Sequence, residues 1–408
     1  MNYKLLAISI FTLVFLYRLF LLLIEYRSSG NALPENVRDV YNEEEFARWQ
    51  AYNKERVRNA AWCAAVGFAA ELVLLITDAY THFASLFGDR PGMGAFSVIL
   101  LMQIVDSLCE LPFRYVATMR IEQKYGFNRS TKKTFFVDQI KGFLIPLMLI
   151  FVLTSLFAVI FEALGAWTLL LFYGVMIASV LTGNFLYPVF SKLNNKFTPL
   201  EDGELKDKLT ALLEKHGYHV RAIRVMDASR RTTKPDAYFS GFGKTKTITL
   251  FDNLVTSQTP DQICAVFAHE MGHGIHKDTL KNSILSFINI AVLVLLAFAT
   301  ASTPAIFTDF GFSGVNYGFC VFLLFNVEFS LISPLFGLLQ NALSRRAEYR
   351  ADKQAVEDGY GEAIVGALKQ VCKDNFVNLA PSPLLVKLEY SHPTLSQRIA
   401  AIEAELAK

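Results

Sequence analysis

The segment AHEMGHGIHKD, residues 268–278, carries three histidines and one glutamate at a spacing suited to a metal ion. His269 and His273 lie on one face of an α-helix, with about 6 Å of rise between them, so both can reach one ion. Glu270 would point beside that ion, where a water binds. Zn²⁺ lowers the pKa of such a water to about 7, and a carboxylate can pass its proton to a leaving amine. The HExxH pattern, with small and apolar flanks, therefore predicts a hydrolytic zinc centre.

A catalytic zinc site needs a third protein ligand and one open position. His276 is a candidate by proximity, but on a rigid helix it lies about 4.5 Å further along the axis than His273. The extended HExxHxxGxxH spacing is absent, because residue 276 is His and residue 279 is Thr. We therefore expect His276 to cap the helix end or to face solvent.

The segment NALSRRAEYRAD, residues 341–352, offers a second candidate. Glu348 and Asp352 are four apart, so on a helix Glu348 can be the third ligand. Asp352 can then accept the outer N–H of a liganding histidine and fix its tautomer. The alternative is an ordinary charged helix in which Glu348 pairs with Arg345 or Arg350. Spacing alone does not decide between the two.

The C-terminal segment SHPTLSQRI, residues 391–399, places His392 before a proline and Arg398 in the last helix. Both side chains can donate hydrogen bonds to a substrate carbonyl or an oxyanion. Without other evidence, the default interpretation is a loop histidine and a surface arginine.

The elements that carry these residues belong to a membrane protein. Of the 408 residues, 53% are hydrophobic and only 19% are charged, and the mean hydropathy is +0.33. A net charge of +2 gives no basis for a nucleic-acid partner. The five cysteines are scattered and suggest neither disulfides nor a thiolate cluster. Seven apolar stretches are long enough to cross a bilayer: 5–25, 61–80, 95–117, 142–162, 166–188, 283–307 and 316–338.

Basic residues alternate between the loops and predict the orientation of the spans. Loops 26–60 and 118–141 carry six Lys or Arg each, whereas 81–94 carries only Arg90. By the positive-inside rule the N-terminus is outside and the C-terminus is cytoplasmic. The polar regions 189–282 and 339–408 then share the cytoplasmic side and can form one site.

Period-two alternation predicts a small sheet in the first polar region. RAIRVMD (221–227) and KTITLFDNL (246–254) alternate like strands, and DAYFS (236–240) is expected to form a hairpin with 246–251. Pro260 and Asp261 then open the helix that carries the histidines.

The chain resembles the Ste24-type CAAX prenyl proteases, which are integral-membrane zinc metalloproteases of the M48 family. The segments that carry the resemblance are LPFRYVATMRIEQKYGFNRST (111–131), YPVFSKLNNKFTPLEDGELK (187–206), AVFAHEMGHGIHKD (265–278), NALSRRAEYRAD (341–352) and YSHPTLSQRI (390–399). The resemblance implies an all-α integral membrane fold. In that fold seven transmembrane helices surround a large water-filled chamber, with a cytoplasmic zinc-protease domain of helices and a small β-sheet. Acidic residues in or near the spans agree with an interior aqueous volume: Glu71, Asp78, Asp106, Glu110, Glu162 and Glu328.

The resemblance also implies a role for each site residue and one Zn²⁺ per chain. The metal ligands would be His269, His273 and Glu348, and the general base would be Glu270. Asp352 and Asn341 would support the ligands, and His392 and Arg398 would donate hydrogen bonds to the oxyanion. The edge strand that binds substrate would contain Asp236, Ala237 and Tyr238. At residue 236 an Asn is expected in the family, and an Asp can accept but not donate a hydrogen bond.

The expected activity is hydrolysis of peptide bonds near the C-terminus of prenylated CAAX-type substrates, by a monomer in a lipid bilayer. Chain length favours a bacterial inner membrane, and a eukaryotic protein would lie in the endoplasmic reticulum membrane. We expect four regions: spans 1–5 with basic loops (1–188), a catalytic region with the edge strand and the HExxH helix (189–282), spans 6–7 (283–340), and a catalytic region with the third ligand (341–408). The alternatives are an HtpX-like quality-control protease and a non-enzymatic transporter or binding chamber with a relict metal site, against which the intact Glu270 argues.

Overall fold

The computed structural model describes residues 2–88, 91–128, 130–218, 220–230, 237–240 and 247–408. It divides into two compact units. The first unit comprises Met1–Arg27, Tyr52–Ile177 and Ser286–Phe336. The second comprises Ser28–Ala51, Ala178–Leu285 and Gly337–Lys408.

Helices dominate the described chain. In chain order they are α1 (Tyr3–Ser28), α2 (Glu43–Ile76), α3 (Ala79–Ser85), α4 (Pro91–Val116), α5 (Gln123–Tyr125), α6 (Lys132–Leu164), α7 (Thr168–Asn194), α8 (Glu204–Lys215), α9 (Asp252–Ser257), α10 (Pro260–Ile275), α11 (Asp278–Ala301), α12 (Pro304–Asp309), α13 (Tyr317–Leu323), α14 (Phe329–Glu357), α15 (Gly361–Asp374), α16 (Pro383–Glu389) and α17 (Leu395–Leu406). π-Helical turns at Ala117–Glu122 and Leu324–Glu328 follow α4 and α13 without a break.

Among the described residues, six helical stretches are long and apolar enough to cross a membrane. They are Tyr3–Ser28, Glu43–Ile76, Gly92–Tyr125, Lys132–Leu164, Leu280–Ala301 and Tyr317–Glu357. The predicted fifth span, 166–188, falls on α7, whose described apolar part is the shorter stretch Thr168–Val180. The prediction of an all-helical, multi-pass membrane fold is confirmed. The helices extend beyond the predicted apolar runs because helical backbone continues into the polar flanks.

The first unit is held together by close helix contacts and a cluster of aromatic rings. A Cβ atom at Gly318 would lie 2.2 Å from the carbonyl oxygen of Ala95, so α13 approaches α4 more closely than any larger residue allows. Phe319 stacks on Phe322 with ring centroids 5.5 Å apart, and Tyr80 packs 5.6 Å from Phe319. Helices in lipid gain no hydrophobic stabilisation from packing together, so the packing of aromatic rings and the close approach at a glycine stabilise this unit.

The second unit contains a four-stranded sheet. Its strands are β1 (Phe197–Pro199), β2 (Ala222–Met226), β3 (Ala237–Ser240) and β4 (Thr247–Phe251), in the order β1-β2-β4-β3. β3 pairs antiparallel with β4, with Tyr238 opposite Thr249, so the predicted hairpin is present. β2 runs parallel to β4, and β1 pairs antiparallel with β2. β3 is therefore an edge strand.

Helix α10 packs against this sheet and begins where the sequence predicts. Thr259 caps it through a capping box, in which its hydroxyl accepts from the Gln262 backbone and the Gln262 side chain accepts from the Thr259 backbone. Ile263, Phe267 and Met271 are buried in a core with Ile248 and Leu250 of β4 and with residues of α8, α15 and α17. This packing fixes the rotation of α10, so the opposite face can carry the histidines.

The five cysteines are all free thiols. Cys264 and Cys320 are buried, and Cys63, Cys109 and Cys372 are partly buried.

Candidate metal centre

Two imidazoles and one carboxylate converge at one point of the second unit. His269 and His273 lie one turn apart on α10, with ring centroids 4.8 Å apart and ring planes at 88°. The Nε2 atom of His269 lies 3.5 Å from Oε2 of Glu348, and Nε2 of His273 lies 3.5 Å from Oε1 of the same residue. One ligand atom from each residue lies within 4.8 Å of the others. The fold thus brings together the two histidines and the glutamate that the sequence singled out.

A second carboxylate lies behind each imidazole. Nδ1 of His269 is 2.9 Å from Oδ1 of Asp352, and Nδ1 of His273 is 3.2 Å from Oδ2 of Asp278. A carboxylate can only accept, so each Nδ1 carries a proton, and each Nε2 offers a lone pair once any proton of its own is displaced. Both lone pairs therefore face Glu348.

This arrangement fits a divalent metal ion. Glu348 is 4% exposed, and within the described chain its Oε2 makes no hydrogen bond, although Nη1 of Arg398 lies 3.3 Å away. Two imidazole nitrogens and a carboxylate that face one point need positive charge between them, supplied either by protons on the nitrogens or by a metal ion that displaces those protons. Two nitrogen donors and one oxygen donor are a ligand set typical of catalytic zinc sites.

The alternative, in which Glu348 pairs with Arg345 or Arg350, is not what the described contacts show. Arg345 donates to the carbonyl oxygens of Val386 and Tyr390 at 3.1 and 2.6 Å. Arg350 donates to Oδ1 of Asp278 at 2.7 Å. Both guanidinium groups therefore support the framework around the site.

Asp278 is a residue that the sequence analysis missed as part of the site. It is 5% exposed and bridges His273 to Arg350 and Lys281. The preceding Lys277 adopts a left-handed conformation with φ of 55°, which reverses the chain between α10 and α11 and brings Asp278 back to His273. Its position at the end of the segment 268–278, five residues after His273, was the one feature of the sequence that could have indicated this role.

Arg398 and His392 approach the same glutamate. Arg398 donates to Asp352 through Nε at 2.8 Å and Nη2 at 2.6 Å, and its Nη1 lies 3.3 Å from Oε2 of Glu348. Nδ1 of His392 lies 3.1 Å from Oε1 of Glu348. The His392 side chain is 63% exposed, whereas that of Arg398 is 11% exposed. Of the two, His392 is the one that an incoming molecule can reach.

The carboxylates change the proton affinity of the imidazoles. Burial lowers the pKa of His269, but hydrogen bonds with Asp352 and Glu348 more than offset this and raise the pKa to about 9. For His273 burial also lowers the pKa, and the hydrogen bonds with Glu348 and Asp278 raise it overall. Metal binding at these two nitrogens therefore competes with protons.

A glycine sets the distance between the two ligand-bearing helices. A Cβ atom at Gly272 would lie 2.9 Å from Cα of Ala351 and 3.1 Å from Cβ of Gln354 on α14. Contacts this short are tolerated only when one residue has no side chain. The close approach of α10 to α14 is what allows Glu348 to reach both imidazoles.

The remaining predicted site residues have varied positions. Asn341 donates through Nδ2 to the carbonyl oxygen of Leu388 at 3.0 Å, which joins α14 to α16. Glu270 is half-buried on α10, and His276 is the C-terminal cap of that helix, as expected. Ala237 and Tyr238 lie on β3, with the Tyr238 ring edge-on to Phe251. Asp236 lies outside the described residues.

Comparison with known families identifies the class of protein that this fold and site define. Residues 199–406 match the family model described as peptidase family M48, and residues 23–192 match the model described as CAAX prenyl protease N-terminal, five membrane helices. The chain belongs to peptidase family M48 and is a membrane-spanning metallopeptidase.

Individual relatives extend over almost the whole chain. CAAX prenyl protease 1 of Saccharomyces cerevisiae is 28% identical, over 92% of this chain and 89% of the relative. The CAAX prenyl protease 1 homolog of Dictyostelium discoideum is 30% identical, over 100% of this chain and 98% of the relative. The crystal structure of S. mikatae Ste24p superposes with a TM-score of 0.87 at 27% identity, over 99% of both chains.

Proposed function

We propose that this chain is a zinc endopeptidase that cleaves peptide bonds near the C-terminus of prenylated CAAX-type substrates. The observation that carries the proposal is the convergence of His269, His273 and Glu348, whose ligand atoms lie within 4.8 Å of one another. The relatives named CAAX prenyl protease 1, matched over almost their full length, support the substrate class.

In this proposal His269, His273 and Glu348 hold one Zn²⁺, which supplies a Lewis acid and lowers the pKa of a bound water. Glu270 accepts a proton from the attacking water and donates it to the departing amine. Asp352 and Asp278 keep the proton on the outer nitrogen of each imidazole, so that the inner nitrogen remains a lone-pair donor.

His392 and Arg398 are the proposed donors to the oxyanion that forms on the attacked carbonyl. His392 is exposed and within 3.1 Å of Glu348, so its ring borders the space that a substrate carbonyl would enter. Arg398 is engaged with Asp352 and Glu348, and it contributes positive charge from behind the ligands.

The peptide substrate is proposed to pair with β3 as an added strand. β3 lies at the edge of the sheet, and Ala237 packs on the core that includes α10. Backbone groups of an edge strand can bind an extended peptide without regard to its sequence. Asp236, Ala237 and Tyr238 would then contact the residues next to the scissile bond.

The remaining expectations from the sequence stay part of the proposal. The protein acts as a monomer, and its site faces the cytoplasm from the bacterial inner membrane or the endoplasmic reticulum membrane. Membrane-spanning regions alternate with catalytic regions along the chain: the spans lie in 1–188 and 283–340, and the catalytic regions are 189–282 and 341–408. A water-filled chamber bounded by the spans delivers the lipidated peptide to the metal.

The test is the variant Glu270→Gln, assayed on a farnesylated CAAX peptide with zinc content measured in parallel. We expect a loss of activity of at least about 100-fold with zinc retained, because only proton transfer is removed. Glu348→Ala should lose zinc, and Glu214→Gln, an exposed glutamate on α8, should behave as the parent protein. Undiminished cleavage by Glu270→Gln would overturn the mechanism. Equal cleavage of the unprenylated peptide by the parent protein would favour the quality-control protease.

A further inference from the structure

The segment LPFRYVATMRIEQKYGFNRST (111–131) has no place in the proposed reaction, yet it lines a distinct cavity in the first unit. The cavity has a volume of about 260 Å³. Its walls come from α2 on one side and from the end of α4, the π-helical turn and α5 on the other. The lining residues are Glu55, Arg58, Asn59, Trp62, Phe113, Val116, Arg120, Ile121 and Lys124.

The cavity carries positive charge that no described residue neutralises by an ion pair. Lys124 donates to Oε1 of Glu55 at 2.6 Å, so these two lining charges offset each other. Arg58 and Arg120 are both exposed, and within the described part of the chain neither makes an ion pair or a side-chain hydrogen bond. Three cations and one carboxylate leave two net positive charges at one small cavity.

The cavity lies where apolar helix meets polar helix. Trp62 and Phe113 belong to the apolar stretches 61–80 and 95–117, and Arg58 and Arg120 each lie three residues outside these stretches. Trp62 is 63% exposed. Tryptophan prefers the headgroup level of a bilayer, and arginines beside it extend toward lipid phosphates. The cavity therefore opens at headgroup depth.

The walls of the cavity are fixed by contacts between α2 and the helices that follow α4. The Tyr52 hydroxyl donates to Oε1 of Glu122 at 2.6 Å, and Nδ2 of Asn59 donates to the Phe113 carbonyl at 3.0 Å. Arg120 lies on the π-helical turn Ala117–Glu122, where the wider turn shifts the direction of its side chain relative to α4. The two guanidinium groups are thus presented from preformed walls.

We propose that this cavity binds the phosphate headgroup of an anionic glycerophospholipid, with Arg58 and Arg120 pairing with the phosphate and Trp62 and Phe113 packing on the glycerol and upper acyl chain. Guanidinium groups match phosphate oxygens in geometry as well as charge. The lipid would occupy the leaflet on the side of the basic segments 26–60 and 118–141.

The test uses Trp62 as a reporter in reconstituted full-length protein. Two phosphatidylcholine vesicle preparations are compared, one with a small fraction of brominated phosphatidylglycerol and one with the same fraction of brominated phosphatidylcholine. The fluorescence quenching assigned to Trp62 is the part that disappears in the variant Trp62→Phe. We expect stronger quenching by the brominated anionic lipid. The preference should fall roughly fivefold for each arginine replaced, as in Arg58→Gln and Arg120→Gln.

The control is Lys132→Gln with Lys133→Gln, which removes two exposed charges at the start of α6, outside the cavity. This pair should retain the preference. The double variant Arg58→Lys with Arg120→Lys should keep part of the preference for the anionic lipid, because it retains both charges. It therefore distinguishes an effect of lost charge from an effect of misfolding. Equal quenching by both lipids, or an equal loss in the lysine control, would overturn the proposal. Inorganic phosphate that abolishes the preference at constant ionic strength would assign the cavity to a soluble anion instead.

Discussion

Asp352 accepts two hydrogen bonds from Arg398, at 2.6 and 2.8 Å, and a third from Nδ1 of His269 at 2.9 Å. Asp352 is 1% exposed, so its charge is stable in the interior only because these donors surround it. One carboxylate thereby connects the last helix of the chain to the HExxH helix. The orientation of His269 depends on a residue that lies far away in the sequence.

Arg398→Gln should destabilise the protein because it leaves a buried carboxylate without its cation. The expected loss is about 3 kcal/mol in the free energy of unfolding, with a lower affinity for zinc as His269 becomes mobile. Chemical denaturation in detergent and zinc titration measure the two effects. The matched control is Arg346→Gln, an exposed arginine on α14, which should change stability by less than about 0.5 kcal/mol. Equal stability of the two variants would contradict the role given to the Arg398–Asp352 pair.

Metal uptake should release protons near neutral pH. In protein stripped of metal the pKa of His269 is raised to about 9, so at pH 7 the imidazole carries a proton that the metal must displace. Zinc affinity should therefore rise with pH up to about 9, by about tenfold per pH unit for each proton released. Calorimetric titration in two buffers of different ionisation enthalpy counts the protons. A binding heat independent of the buffer would exclude a protonated His269.

Gly272→Ala should push α10 away from α14. The added methyl group would meet Cα of Ala351 at 2.9 Å, and backbone cannot move aside as a side-chain tip can. We expect a loss of about 1–3 kcal/mol in stability and weaker zinc binding. Gly274→Ala on the same helix is the control, because its methyl group meets only the Tyr218 hydroxyl at 3.2 Å. If both variants unfold at the same temperature, the glycine contact does not set the helix spacing.

Acidification should remove the stabilising contribution of Asp358. Burial raises its pKa, but hydrogen bonds from Lys215 and His216 lower the pKa overall below its ordinary value. A carboxyl whose folded pKa is depressed stabilises the fold above its unfolded pKa of about 3.9, and this contribution falls as pH drops toward the folded value. Asp358→Asn should cost about 1 kcal/mol at neutral pH, and the difference from the parent should shrink below about pH 4. A difference that stays constant down to pH 3 would refute the assignment. Asp202→Asn, which breaks an exposed pair between the residue before α8 and Lys206 on that helix, should show almost no effect at either pH.

Local patterns predicted the elements whose signals lie within a few residues. The start of α10 at Pro260, the alternation of β4 and the apolar spans are each encoded in a short window. The HExxH spacing likewise places two histidines on one face with no information from the rest of the chain. These parts of the fold and of the site were accessible from sequence.

The parts that were missed depend on contacts between distant segments. β1 has three residues, one of them Pro199, and forms only because β2 supplies an edge to pair with. Spacing left the role of Glu348 open, because pairing with Arg345 or Arg350 was equally compatible. The structure directs those arginines to carbonyl oxygens and to Asp278. Asp278 itself reaches His273 through the unusual backbone at Lys277, a conformation that residue type does not predict.

The state of the native thiols has a practical consequence for determining which side of the membrane the site faces. Burial raises the pKa of Cys264 and of Cys372 to about 11, so at neutral pH only about one in ten thousand of these groups is a reactive thiolate. Cys63, Cys109 and Cys320 lie on the membrane-spanning helices. Maleimide scanning with cysteines introduced at exposed positions, such as Glu214 and Arg346, can thus leave Cys264 and Cys372 in place.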